Sequence, residues 1–276
     1  MMVRGVAALV LGLLGMASAE AADPVIIPGD PAVPGRPTLN AWLLQPKGVA
    51  KAPAIVAMHG CAGVTGERGA LLPIYRDWGE RLVGEGYAVL FVDSFGSRGF
   101  RQQCTQKPRQ VVPKERGEDA LAAAAWLAKR SDVDASRLAL MGWSHGGSTT
   151  LWAVDARRAK PEAEFKTAIA FYPGCATPAK QTSWGTRVPL TILIGAADDW
   201  TPAEPCRALG TRANVRYIEY PGAYHAFDNP NLPLRVRTGL TYSVKGDGTA
   251  HIGTDPAARA AAIEEVTKTL KAALKP

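Results

Sequence analysis

A doubly wound α/β architecture, with a mostly parallel sheet and helices on both faces, is predicted by three features of the sequence. Short apolar runs bounded by turn residues recur along the chain, as strands buried on both faces require. Segments with apolar residues at helical spacing alternate with those runs. No internal repeat, low-complexity block or break in composition divides the chain, so residues 23–276 are expected to form one domain.

Residues 23–37 (DPVIIPGDPAVPGRP) carry five prolines and should be an extended surface arm or a sheet edge. LNAWLLQP alternates around Trp42 and Leu44 and reads as an edge strand ended by Pro46. Ala54–Met58 is a buried strand, and the loop GCAGVTGERG follows it. Tyr75, Trp78, Leu82 and Val83 recur at helical spacing, with Gly84 and Gly86 closing that helix. Tyr87–Val92 is the next buried strand. The segment from Ser94 to Pro113 is long, irregular and basic, and loops of that length in a compact domain are functional or disordered.

Glu115–Arg130 reads as a helix, Arg137–Met141 as a strand, and Gly146 to about Arg158 as a helix. Strands follow at Thr167–Tyr172 and Leu190–Ile194, then a short helix at Pro202–Arg212 and a strand at Val215–Tyr220. TGLTYSVKGDGTAHIG suggests a small hairpin around Gly246–Gly248. Asp255–Leu274 is an amphipathic helix.

Ahead of this domain stands MMVRGVAALVLGLLGMASAEAADP. Arg4, an apolar run from Val6 to Ala17, and small residues at Ala17, Ala19, Ala21 and Ala22 have the layout of a secretory signal peptide over residues 1–22. Cleavage is expected after Ala19 or Ala22, giving an exported protein, periplasmic or secreted. No later run approaches the ~18 apolar residues of a membrane span. The formal net charge of +7 is spread along the chain, with no long basic run and no interleaved aromatic–basic pattern. Nucleic-acid binding is therefore not expected. The charge gives a solvated basic surface with a bias toward anionic substrates.

In parallel sheets of this kind ligands and chemistry gather at the carboxyl ends of the strands. His59-Gly60-Cys61-Ala62-Gly63 follows one strand and Gly142-Trp143-Ser144-His145-Gly146 another. Asp198 and Asp199 follow a third, and Tyr224-His225-Ala226-Phe227 a fourth. A serine on a tight strand-to-helix elbow is forced toward strained backbone angles, and flanking side chains would collide with strand and helix. Glycines at 142 and 146 answer that constraint. A free hydroxyl is a weak nucleophile and needs a base, and the base needs a carboxylate to orient it. Ser144, His225 and Asp198 are the candidates. The backbone N–H of His145 and of Cys61 are candidate donors to a tetrahedral oxyanion.

MHGCAG (58–63), VDSFGSRG (92–99), MGWSHGG (141–147), FYPGC (171–175), GAADDWTP (195–202) and YHAFD (224–228) together resemble the α/β-hydrolase superfamily, and within it the dienelactone hydrolase family. The resemblance covers nearly all of the chain after the leader. It implies the α/β-hydrolase fold, with Ser144 as nucleophile, Asp198 as acid and His225 as base. Asp198 is preferred to Asp199 because the superfamily's acid commonly lies four residues before a proline, here Pro202. The founding dienelactone hydrolases carry cysteine where this chain has Ser144, and glutamate where it has Gly60. Their thiol activation is therefore absent, and general serine-esterase chemistry on an ester or lactone is favoured. Acyl transfer or peptide cleavage by the same residues, or a catalytically silent binding protein on this scaffold, remain open alternatives.

No metal or organic cofactor is implied, and no Cys/His spacing suggests zinc. Trp143, Trp200, Phe227, Arg98 and Arg101 are candidate pocket residues, the two arginines as contacts to a substrate carboxylate. The pocket itself is expected to draw on the 94–113 loop and on the segment after His225. His59 reads as a brace for its loop, Asp93 and Ser94 as fixing the loop after their strand, and His251 as a surface residue. Four cysteines allow three pairings. Cys175 with Cys206 is preferred, since both follow neighbouring strands, and Cys61 with Cys104 is a possible second bridge. A monomer or small homo-oligomer is expected.

Overall fold

A computed structural model of the chain describes residues 22–30 and 36–274. The leader assigned to residues 1–22 falls, but for Ala22, outside the described residues. Eight strands build the main sheet: β1 (Asp23–Ile27), β2 (Leu39–Leu44), β3 (Ala52–Met58), β4 (Ala88–Asp93), β5 (Val133–Trp143), β6 (Thr167–Phe171), β7 (Leu190–Gly195) and β8 (Val215–Tyr220). Their spatial order is β1-β2-β4-β3-β5-β6-β7-β8. The six strands from β4 to β8 in that order are parallel, while β2 runs antiparallel to both β1 and β4. The expected edge strand is therefore an inner one. Val25 of the proline-rich arm pairs with Ala41, so β1 covers the edge that β2 would otherwise expose.

The helices are α1 (Pro73–Gly84), α2 (Pro113–Ala128), α3 (His145–Ala153), α4 (Ala176–Ala179), α5 (Ala203–Leu209) and α6 (Pro256–Leu274). Every residue of β3, β4, β6 and β7 is buried, because both faces of the sheet are covered. α2 packs on α3 in one layer, so closely that a Cβ at Gly117 would overlap the Trp152 ring. α1 and α6 form the other layer, joined by Arg259 to Asp77 (2.6 Å) and by Thr267 to Glu85 (2.7 Å). No helix among the described residues is long and apolar enough to cross a membrane.

Two segments differ from their sequence reading. The tight hairpin around Gly246–Gly248 is replaced by a two-stranded ribbon, β9 (Arg235–Arg237) with β10 (Ala250–Ile252). The two glycines lie in its long connection, each with positive φ. The 94–113 loop is ordered rather than open. Arg98 grips Asp119 through two 2.8 Å bonds, Cys104 is joined to Cys61, and Arg109 Nε donates to the Gln103 carbonyl. Beneath the ribbon, Cys61, Cys104, Trp200, Leu240, Ala250 and Ile252 form a small second core. Thr241 of the ribbon connection donates to the carbonyls of Cys104 and Gln106, so loop and ribbon are one packed unit.

Candidate active site

β5 runs directly into α3 with Ser144 at the corner. Its φ of 54° and ψ of −112° are strained for a residue with a side chain. Two other non-glycine residues with positive φ, Tyr172 and Ala226, line the same cavity as Ser144. The turn is possible only because both flanking glycines lack a Cβ. One at Gly142 would overlap the Gly146 carbonyl, and one at Gly146 would overlap the Met58 carbonyl. Gly146→Ala is therefore expected to cost about 3 kcal/mol or more, since backbone rather than a mobile side chain must move. A urea midpoint close to that of the parent protein would contradict this packing.

Ser144 Oγ lies 3.0 Å from His225 Nε2, and His225 Nδ1 lies 2.8 Å from Asp198 Oδ2. The loops after β7 and β8 bring Asp198 and His225 together. Ala197 N–H donates to the Ala223 carbonyl, and at Gly195 a Cβ would strike that same carbonyl. The orientation of Asp198 is fixed, because its Oδ1 accepts the N–H groups of Trp200 (2.9 Å) and Thr201 (2.8 Å). Thr201 Oγ1 stands 3.0 Å from Asp198 Oδ2 and 3.0 Å from the Tyr172 carbonyl. The His225 ring packs against Tyr172 and Trp200, with centroids 4.4 and 4.6 Å away. Asp199 faces elsewhere and holds His251 Nδ1 at 2.8 Å, docking the ribbon on the acid loop. His251 is thus a partly buried bracket stacked on Tyr224 rather than a free surface residue.

Behind the elbow sits a fully buried cation. Arg116 of α2 donates to His145 Nδ1 (2.6 Å) and to the His59 carbonyl (2.6 Å), with its guanidinium over the Phe95 ring. Burial lowers its pKa to about 9, which leaves it charged at neutral pH. Burial and then Arg116 hold His145 and His59 well below the usual imidazole range, so both are neutral. One guanidinium therefore pins the residue after Ser144 to the loop that carries Cys61. The bridge from Cys61 to Cys104 and the bond from Gln103 N–H to the Cys61 carbonyl (2.7 Å) hold that loop from the other side. Cys175 is joined to Cys206.

A second buried polar group, the Asp228 carboxyl, organises the floor. Asp228 accepts from Trp78 Nε1, Trp143 Nε1 and Tyr172 Oη, each at 2.8 Å. Burial raises its pKa, and the three donors oppose that rise. Trp143 is stacked on Phe171 beneath the elbow and only borders the cavity, as does Trp200.

The cavity beside Ser144 has a volume of about 660 Å³. Its wall differs from expectation at three positions. Phe227 is fully buried among Phe171, Tyr172 and Tyr220, because Ala226 at φ 62° turns it into the core. Arg98 is engaged by Asp119, and the exposed Arg101 reaches Glu67 at 3.2 Å. Neither arginine borders the cavity, and no residue of the 94–113 loop does. The cations that border it are instead Arg235 and Arg237 of β9, within the segment after His225, and Arg76 of α1, with Asp77 and Glu80 of α1 on the same rim. Tyr75, Tyr172, Arg116 and Asp228 were not singled out by sequence. The sequence carried only traces of them: Tyr75 in its helical spacing, Tyr172 within FYPGC and Asp228 at the end of YHAFD, with no role attached to any.

The sequence matches the dienelactone hydrolase family over residues 39–274. The chain belongs to the dienelactone hydrolase family. Among curated relatives, Cutinase 2 of Thermobifida cellulosilytica is 33% identical over 165 residues, covering 57% of this chain and 56% of the relative. The chain spans about half the length of the curated relatives it matches first, 56% and 46% for two cutinases. Among solved structures, a dienelactone hydrolase from Anabaena variabilis superposes with a TM-score of 0.63 at 17% identity, over 93% of this chain and 99% of that one. The apo form of Thermogutta terrifontis esterase 2 gives 0.61 at 21% identity, over 93% and 97%. These likenesses show the α/β-hydrolase fold. Glycine at position 60 leaves open a space beside Ser144 that a side chain would enter. A Cβ there would lie 3.6 Å from Ser144 Cβ.

Proposed function

We propose that this chain is a serine hydrolase that cleaves a carboxylic ester or lactone through an acyl-enzyme on Ser144. The observation that carries the reading is the unbroken line from Ser144 Oγ through His225 to Asp198, at 3.0 and 2.8 Å. His225 Nε2 takes the serine proton as Oγ attacks the acyl carbon. Asp198 accepts from Nδ1–H and stabilises the imidazolium. The oxyanion is met by the N–H groups of Cys61 and His145. The imidazolium then protonates the departing alkoxide, and His225 deprotonates the water that releases the acid. A carboxylic ester or lactone fits the serine nucleophile, and the cutinases and esterase among its relatives support that class.

An anionic group on the substrate is part of the proposal. Arg235 and Arg237 border the cavity, and neither has a carboxylate partner among the described residues. Burial, and then Arg235, lower the pKa of Arg237, so an anion would relieve a repulsion already present. Replacing Arg237 by glutamine is expected to lower kcat/KM for p-nitrophenyl hemisuccinate by about tenfold or more, from the loss of a charged hydrogen bond. Turnover of neutral p-nitrophenyl butyrate should change little. Equal losses on both esters would remove the anionic preference.

Export completes the reading. Two disulfides, of a kind that persists in oxidising compartments, support it together with the leader pattern of residues 1–22.

A further inference from the structure

We infer that the hydroxyl of Tyr75 is a third donor to the oxyanion, beside the N–H groups of Cys61 and His145; this rests on the serine-hydrolase reading above. Tyr75 lies in the first turn of α1, whose other aromatic residue, Trp78, faces the core. Its own ring is held between neighbours, tilted against Phe91 at 5.7 Å and edge-on to Trp143 at 5.6 Å. Trp143 immediately precedes the nucleophile, so the phenol and the elbow are packed as one unit.

The hydrogen-bond account of that phenol is incomplete within the protein. Its oxygen accepts the Gly60 N–H at 2.7 Å. That bond occupies the Gly60 amide, which leaves Cys61 as the next free donor on the loop. A phenol carries one hydrogen of its own to give. No acceptor for it exists among the described residues, although the side chain is only 3% exposed. A buried donor left without a partner costs free energy, and such groups are rare outside functional sites. The hydrogen has one remaining direction, into the cavity that Tyr75 borders together with Ser144.

The position is also right for the charge that develops. A Cβ built on Gly60 would stand 3.5 Å from the phenol oxygen and 3.6 Å from Ser144 Cβ. The phenol, the nucleophile and the Trp143 carbonyl (3.4 Å from that Cβ) thus flank one small volume, kept free of a side chain by glycine, toward which a tetrahedral carbon on Ser144 would project its oxygen. Burial pushes the Tyr75 pKa up to about 12, so the group remains a neutral donor at working pH. Gly60→Ala would fill the same space.

The test uses the full chain and the Tyr75→Phe variant, which keeps the ring and removes only the hydroxyl. With p-nitrophenyl butyrate, kcat is expected to fall on the order of a hundredfold, as for loss of one oxyanion donor, with KM essentially unchanged. Affinity for a trifluoromethyl ketone, which forms a tetrahedral adduct on serine, should fall in parallel with kcat. A structural role through Gly60 alone is separated by 3-fluorotyrosine at position 75, a better donor and a poorer acceptor. A donor to the oxyanion predicts kcat retained or raised, whereas a phenol that only braces Gly60 predicts a loss. Unchanged kcat in Tyr75→Phe, or a loss with 3-fluorotyrosine, overturns the inference. Ser144→Ala run alongside separates the two levels. If that control is inactive while Tyr75→Phe is fully active, only the role of Tyr75 fails; if the control is active, the hydrolase reading fails with it.

Discussion

Ser144→Ala is expected to lower kcat for a short p-nitrophenyl ester on the order of a million-fold, since removing the nucleophile of such a unit costs about as much as removing all of it. Alanine supplies no atom for the acyl-enzyme, and His225 Nε2 loses its partner at 3.0 Å. The fold should survive. Serine and alanine share the Cβ that makes φ 54° costly, so the strain at the elbow is the same in both. The glycines at 142 and 146, which make room for the turn, are untouched. Thermal unfolding and ester turnover measured on one preparation check both halves. A mutant that keeps its melting temperature and its activity would rule out Ser144 as nucleophile.

Asp198→Asn is expected to lower kcat by about ten-thousandfold, and Asp199→Asn far less, because the two adjacent aspartates hold different histidines. The reason lies in the orientation of the carboxyl group. Oδ1 of Asp198 accepts two backbone N–H groups, from Trp200 and Thr201. An asparagine must keep its carbonyl oxygen there, which turns its NH₂ toward His225 Nδ1. That nitrogen is then forced to accept, the ring proton moves to Nε2, and Nε2 can no longer take the proton of Ser144. Asp199 holds only His251 and the ribbon, so its loss loosens a cavity wall without changing the tautomer of His225. Comparing kcat for the two variants checks the assignment. Equal losses, or a larger one at Asp199, would contradict it.

The sheet was legible because buried parallel strands write themselves as continuous apolar runs. The Ala54–Met58, Tyr87–Val92, Thr167–Tyr172 and Leu190–Ile194 runs all lie within or against observed strands. The edge was legible in part. The arm at 23–37 read as an extended arm or a sheet edge, and Asp23 to Ile27 do pair with β2 as the edge strand. The prolines at 24 and 28 hid that pairing and left Leu39–Leu44 to be read as the edge. Ser144, Asp198 and His225 were legible because each sits just past a strand, where local spacing fixes its place. The cavity wall depends on contacts between distant segments. Arg98 looked free in a basic loop, yet Asp119 on the following helix engages it. Arg235 and Arg237 lie in a stretch with no periodicity, and only the docking of β10 against His225 brings them to the cavity. Tyr75 showed its helical spacing but not the direction of its hydroxyl. Phe227 lies two residues past His225 in sequence, but the positive φ at Ala226 sends it inward.

The most direct test of the account is reaction of the folded protein with a fluorophosphonate, followed by intact mass and peptide mapping. One adduct per chain is predicted, on the peptide containing Ser144, absent in Ser144→Ala and strongly slowed in Asp198→Asn. Folded protein that takes up no adduct, or carries it on another residue, would contradict the assignment of Ser144 as an activated nucleophile.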